Sequence, residues 1–111
     1  MTNYLKEVGF AVTISDKNGQ VLAMNDKALS TFEKYGGAKL IGTSLYDCHP
    51  PHATEIIKRL MESHETNAYT IEKNGQKKLI YQTPWYENDE FMGYVELSLV
   101  LPENMEHKVR S

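Results

Sequence analysis

The chain has 111 residues, 41% of them apolar and 24% charged, which is the composition of one globular domain and too short for two independent cores. Twelve Lys and Arg against fifteen Asp and Glu give a net charge of -3 with no basic run, so direct binding of nucleic acid is not expected. The longest apolar stretch, residues 95–101, contains Glu96 and Ser98 and falls far short of the ~20 residues that cross a bilayer.

Phe10, Val12 and Ile14 alternate with Ala11, Thr13 and Ser15, the period-two pattern of a strand with one buried face. Asp16, Asn18 and Gly19 supply a tight turn, and residues 21–24 return as a second strand. Asn25 is placed to cap a helix carrying Ala28, Leu29 and Phe32, which stops at Gly36 and Gly37. Residues 38–46, broken by Gly42, read as a connector. Pro50 and Pro51 suit the first turn of a helix, where a missing N–H leaves nothing unpaired. From there Ala53, Ile56, Ile57, Leu60, Met61 and His64 fall on one stripe. Glu55, Lys58, Arg59 and Glu62 fall on the opposite side, with Glu55 and Arg59 spaced for an ion pair.

Asn74-Gly75 predicts a hairpin, since both central residues of its turn need positive φ. In that register Glu72 faces Lys77 as an expected ion pair, and Tyr69 and Ile71 share a face with Ile80. Ala68, Thr70, Leu79, Tyr81, Thr83 and Trp85 then line the other face. A polar turn over 87–90 leads to a last strand in which Phe91, Val95, Leu97 and Leu99 are expected to face one way. Pro102 ends it, and residues 103–111 form a polar tail.

Two strands, short helices and three strands make an α+β order, with helices gathered on one side of an antiparallel sheet. The stretches AVTISDKNGQVLAMNDKAL (residues 11–29) and YGGAKLIGTSLYD (residues 35–47) also resemble the PAS domains. The matching positions are Asp16 and Gly19 in the turn, Asn25 and Ala28 at the helix start, and Leu40, Ile41 and Gly42 before the next helix. The resemblance covers about residues 8–101 and makes 1–111 one domain with a polar tail from 102. It implies a five-stranded antiparallel sheet in order 2-1-5-4-3, curled over helices with a cavity between, and a sensing or dimerising role without catalysis of its own.

Cys48 is the only cysteine, which removes any intrachain disulfide, and it lies in Tyr46-Asp47-Cys48-His49-Pro50-Pro51-His52. That block resembles one found in a subset of bacterial PAS domains. Its plainest reading is structural, with prolines setting the approach to the helix and Cys48 packed as a small apolar group. Haem or another metal is the alternative, on His49, His52 or His64, since imidazole is a common axial ligand. A structural zinc would need four protein ligands, and this stretch offers three. A flavin adduct is argued against, because Cys48 stands six residues after Gly42 and precedes His-Pro-Pro, unlike the light-sensing relatives. A cysteine enzyme centred on Cys48 lacks a separate Asp or Asn orienter, and a redox-sensing thiol would need a lowered pKa.

The inward-facing candidates are Met24, Ile57, Leu60, Met61, Tyr81, Phe91, Val95 and Leu97. With Tyr46, Cys48, His49, His52 and His64, the ligand-binding set becomes Tyr46, Cys48, His49, His52, Ile57, Leu60, Met61, His64, Tyr81, Phe91 and Val95. Trp85 is expected as an exposed partner surface. Tyr94, Ser98 and Val100, with residues 4–8, are expected at a homodimer contact. Residues 1–7 are polar and mixed in charge, so a secretory leader is not expected. The expectation is therefore a cytoplasmic sensor module that takes a small molecule and acts through a separate signalling protein.

Overall fold

The protein is described from a computed structural model covering residues 1–111, the side chain of Cys48 excepted. A short helix α1 (Asn3–Lys6) precedes the hairpin β1 (Ala11–Asp16) and β2 (Val21–Met24). Helix α2 (Asp26–Thr31), two short 3₁₀ turns, α3 (Leu45–Cys48) and α4 (Pro51–Ser63) follow. The chain then runs up and down through β3 (Asn67–Lys73), β4 (Gln76–Glu87) and β5 (Glu90–Val100). All five strands form one antiparallel sheet in the order β2-β1-β5-β4-β3, as expected from the sequence.

The expected punctuation holds. Asn74 and Gly75 have φ of 52° and 76° and set a register pairing Tyr69 with Ile80 and Glu72 with Lys77. Asn88 and Asp89, at φ of 51° and 67°, turn the chain between β4 and β5 in the same way. Pro51 opens α4 and His64, in the left-handed region at φ 59°, closes it. The side-chain ion pairs expected between Glu72 and Lys77 and between Glu55 and Arg59 do not form. Those of the described residues are Lys6–Asp26 and Lys108–Glu106. Exposed pairs of this kind gain little, since water screens them and holding two long side chains is entropically unfavourable.

Asn25 ties one end of the molecule together. It is 0% exposed, and its Oδ1 accepts from the backbone N–H of Val12 at 2.9 Å and of Ala28 at 3.0 Å. Its Nδ2 donates to the carbonyls of Leu5 and Phe10, both at 2.9 Å. One side chain thus caps α2 and fixes β1 and the N-terminal segment to it. Around it Ala11, Val21, Met24 and Ala28 form a buried cluster, with Leu29, Phe32, Leu40 and Leu45 packed against it.

The two faces of the sheet differ from expectation. In the observed register Val12 pairs with Leu97 and Leu97 with Tyr81, while Ile14 pairs with Val95. Directly paired residues share a face, and these occupy the face away from the helices. Tyr81, Val95 and Leu97 therefore do not point inward. Tyr94 and Ser98, expected at an outer dimer contact, lie instead on the helix side, and Tyr94 is only 7% exposed. Phe91 does turn to the helix side, as expected, but parts from Val95 and Leu97 to do so: a bulge opposite Trp85 and Tyr86 inserts a residue into β5 and turns Phe91 toward α4. Trp85 is half-buried, its Nε1 donating to the Ser15 carbonyl at 3.0 Å across Gly93. A Cβ on Gly93 would run into that carbonyl and the Asp16 backbone, so only glycine lets these strands approach.

Candidate functional site

Between the helices and the inner face of the sheet lies a cavity of about 920 Å³. Its helical wall is the stripe seen in the sequence: Ala53, Ile56, Ile57, Leu60 and Met61 of α4. Phe32, Tyr35, Leu40 and Leu45 close the side nearer α2, and Val21 and Met24 contribute from β2. Helix α4 buries only Leu60 fully, so its apolar face borders empty space instead of a packed core.

The sheet wall is polar. Thr13, Glu96, Gln82 and Asn67 pair in succession across β1, β5, β4 and β3 and form one row facing the cavity. Gln82 Nε2 donates to Glu96 Oε2 at 2.7 Å, and Asn67 Nδ2 donates to Gln82 Oε1 at 2.9 Å. A carboxylate only accepts, so Glu96 obliges Gln82 to present its NH₂, which turns the Gln82 carbonyl to Asn67 and fixes that amide too. The row has a direction set by one charge. Tyr69 lies beside it on β3, and burial, reinforced by the Glu96 carboxylate, raises the pKa of its phenol above the ordinary value.

Tyr94 joins the sheet to α4. Its hydroxyl lies 2.7 Å from both the Leu60 and the Glu65 carbonyls, which accept its single proton between them. Its pKa is pushed up to about 12, first by burial and then by Tyr86 and Glu65 nearby. Two carbonyls facing the oxygen favour the neutral phenol for the same reason. One residue beyond α4, the His64 ring stacks on Phe91, with centroids 3.8 Å apart and planes 10° from parallel.

The expected site residues therefore divide. His49, Ile57, Leu60 and Met61 line the cavity; Tyr46, His52, His64, Tyr81, Phe91 and Val95 do not. His64 is used as a helix cap against Phe91, and the Tyr46 ring packs over Gly19 in the turn after β1. Burial, with Glu62 nearby, raises the Tyr46 pKa. Every expectation placed on the Cys48 side chain lies outside the described residues. Sequence reasoning missed Thr13, Ser15, Asn67, Tyr69, Gln82, Tyr94 and Glu96. Their signal was polar residues at alternate positions in the middle of strands, where a solvent-facing side is the ordinary explanation.

His49 Nδ1 is 2.7 Å from the Leu45 carbonyl and donates to it, which leaves Nε2 of the neutral ring as an acceptor. Among the described residues no group of three or more His, Cys, Asp and Glu could hold a metal ion. The cavity fits haem poorly. Among the described residues His49 is the one imidazole that lines it, and the opposite sheet wall carries a carboxylate and two amides in place of the apolar surface a porphyrin face would need.

Strand order, helix placement and cavity together define a PAS fold. The chain is similar to a C-terminal domain from Streptococcus mutans at a TM-score of 0.72 and 17% identity, covering 87% of this chain and 79% of that one. It is similar to the PAS domain of Bordetella pertussis BvgS at 0.68 and 17%, covering 90% and 82%. A third likeness is to the Aer2 receptor of Vibrio cholerae, described as a dual PAS-haem oxygen sensor, at 0.62 and 14%, covering 84% and 95%. No family model and no curated protein matches the sequence. Among the described residues no helix is long and apolar enough to cross a membrane.

Proposed function

We propose that this chain is a sensor module that binds a small molecule between α4 and the sheet and passes the change to a separate signalling protein, without catalysis of its own. The observation that carries this reading is the cavity of about 920 Å³ with an ordered polar row on one wall and an apolar stripe on the other. That combination, mostly apolar lining with a few placed polar groups, is what small-molecule sites present. The route outward runs through Tyr94, which lines the cavity on β5 and holds the C-terminal end of α4. A ligand favouring one position of α4 over another shifts that contact by the difference in its affinity for the two states.

The same proposal includes a cytoplasmic location, membership of the subset carrying Cys48-His49-Pro50-Pro51, and a homodimer. The dimer contact moves from the residues first expected to the apolar outer face of Ile14, Val95, Leu97 and Leu79. A thermal-shift screen of small metabolites tests the central reading. Hits should raise the melting temperature of the wild type more than that of Met61→Trp, whose indole takes up part of the cavity. Hits that stabilise both proteins equally contradict it. For haem, no Soret band dependent on His49 is expected on adding haemin; a band that His49→Ala removes would make haem the ligand.

A further inference from the structure

The cavity carries a sign as well as a shape. Among the described residues that line it, Glu96 is the one carboxylate, set at the centre of the sheet wall. Gln82 engages its Oε2, and no described group donates to its other oxygen. The amide order imposed by Glu96 leaves Asn67 Oδ1, at the far end of the row, as a second open acceptor. The Tyr94 hydroxyl, two residues along β5, is already committed to the Leu60 and Glu65 carbonyls. Arg59 lines the rim from α4, but it is exposed and forms no ion pair with Glu96 among the described residues. The inner wall therefore offers open acceptors and one negative charge, beside the Thr13, Ser15 and Tyr69 hydroxyls, which can donate or accept but carry no positive charge.

We propose that the cavity takes a small organic cation, a primary ammonium or guanidinium on an apolar body, with the charged group on Glu96 and the body against Ile57 and Met61. The inference rests on reading the cavity as a ligand site and goes further by assigning the ligand's charge and polarity. An ammonium supplies the donors that the free Glu96 oxygen lacks, and charge-assisted hydrogen bonds are the stronger ones. Tyr69 and Tyr94 also line the cavity, and aromatic rings attract cations that approach their faces. An anion of the same shape meets the Glu96 charge, with only neutral hydroxyls such as Thr13 and Ser15 on the sheet wall to offset it.

Isothermal titration calorimetry with phenethylamine, phenethyl alcohol and phenylacetate tests this, because the three share one apolar body and differ in charge. The wild type is expected to bind the amine about 10-fold or more tighter than the alcohol, and phenylacetate weakest. In Glu96→Gln that preference should vanish, although the new amide oxygen still accepts from Gln82 and preserves the row. Equal affinities for amine and alcohol, or an amine preference that survives Glu96→Gln, overturn the proposal. If the alcohol and phenylacetate bind, are lost in Met61→Trp, and the amine has no advantage, the cation assignment fails while the cavity reading stands. If none of the three binds and the metabolite screen is also silent, both fail together.

Discussion

Helices α2 and α4 lie on the same side of one sheet, yet they pack in opposite ways. Under α2 the side chains are small and close: Ala28 is 0% exposed, Ala11 is 2% exposed, and Asn25 saturates its hydrogen bonds at the centre. Under α4 a longer apolar stripe faces a polar wall across open space and meets the sheet mainly through Tyr94 and, just past its end, His64. A carboxylate and two amides at the centre of a sheet would be unfavourable in a dry core, where each needs a partner. Beside a cavity they keep access to water or to a ligand. The α2 end supplies stability, and the α4 end gives up packing for a binding site.

The largest test of this division is Asn25→Ala. It leaves the Val12 and Ala28 N–H groups and the Leu5 and Phe10 carbonyls without their partner, so a loss of about 3 kcal/mol or more is expected in urea denaturation. A loss below ~1 kcal/mol would mean that the α2 end does not anchor the fold. Next, volume can be added at each end. Ala28→Leu should lose about 1–3 kcal/mol by overpacking. Met61→Trp, a larger addition, should stay within about 1 kcal/mol of the wild type because the cavity accepts it. If both variants lose the same stability, the two ends are packed alike and the comparison fails.

Tyr94→Phe sharpens the link between the ends. Losing the hydroxyl should reduce stability by about 1–2 kcal/mol and speed hydrogen exchange at the C-terminal end of α4, leaving α2 unchanged. The folded protein holds the Tyr94 proton up to about pH 12 and the unfolded chain releases it near 10. Stability from this group is therefore complete below pH 10 and falls as pH rises through that window. The alkaline decline should be smaller in the phenylalanine variant, which keeps only the raised Tyr46 and Tyr69 phenols. The smallest effect on the fold should come from Leu97→Lys on the outer face. It should leave the melting temperature within a few degrees of the wild type and shift a dimer to monomer in light scattering. A wild type that is monomeric at high concentration would remove the dimer.

Much of the architecture was legible because it depends on local chemistry. Asn74 and Gly75 accept positive φ, Asn25 caps, and Pro50 and Pro51 start α4. The stripe on α4 was legible too, since a period of 3.6 residues identifies one face without ambiguity. Strand faces were not. A period of two separates Val95 and Leu97 from Tyr94 and Glu96 but does not say which set looks inward, and the rule that apolar residues face the helices chose the wrong one. It fails here because the space behind the sheet is a cavity, where Glu96, Gln82 and Asn67 can be ordered without being sealed from water. The bulge that turns Phe91 toward His64 left no mark in the alternation, and neither did the use of His64 as a cap.

Methyl and amide NMR of the wild type during a fragment screen tests the central claim most directly. The account predicts that fragments which bind will shift Ile57, Leu60 and Met61 together with Thr13, Asn67, Gln82 and Glu96, and that those shifts will reach Glu65 through Tyr94. Binding that instead moves Ile14, Val95 and Leu97, with α4 unaffected, would contradict it and place recognition on the outer face of the sheet.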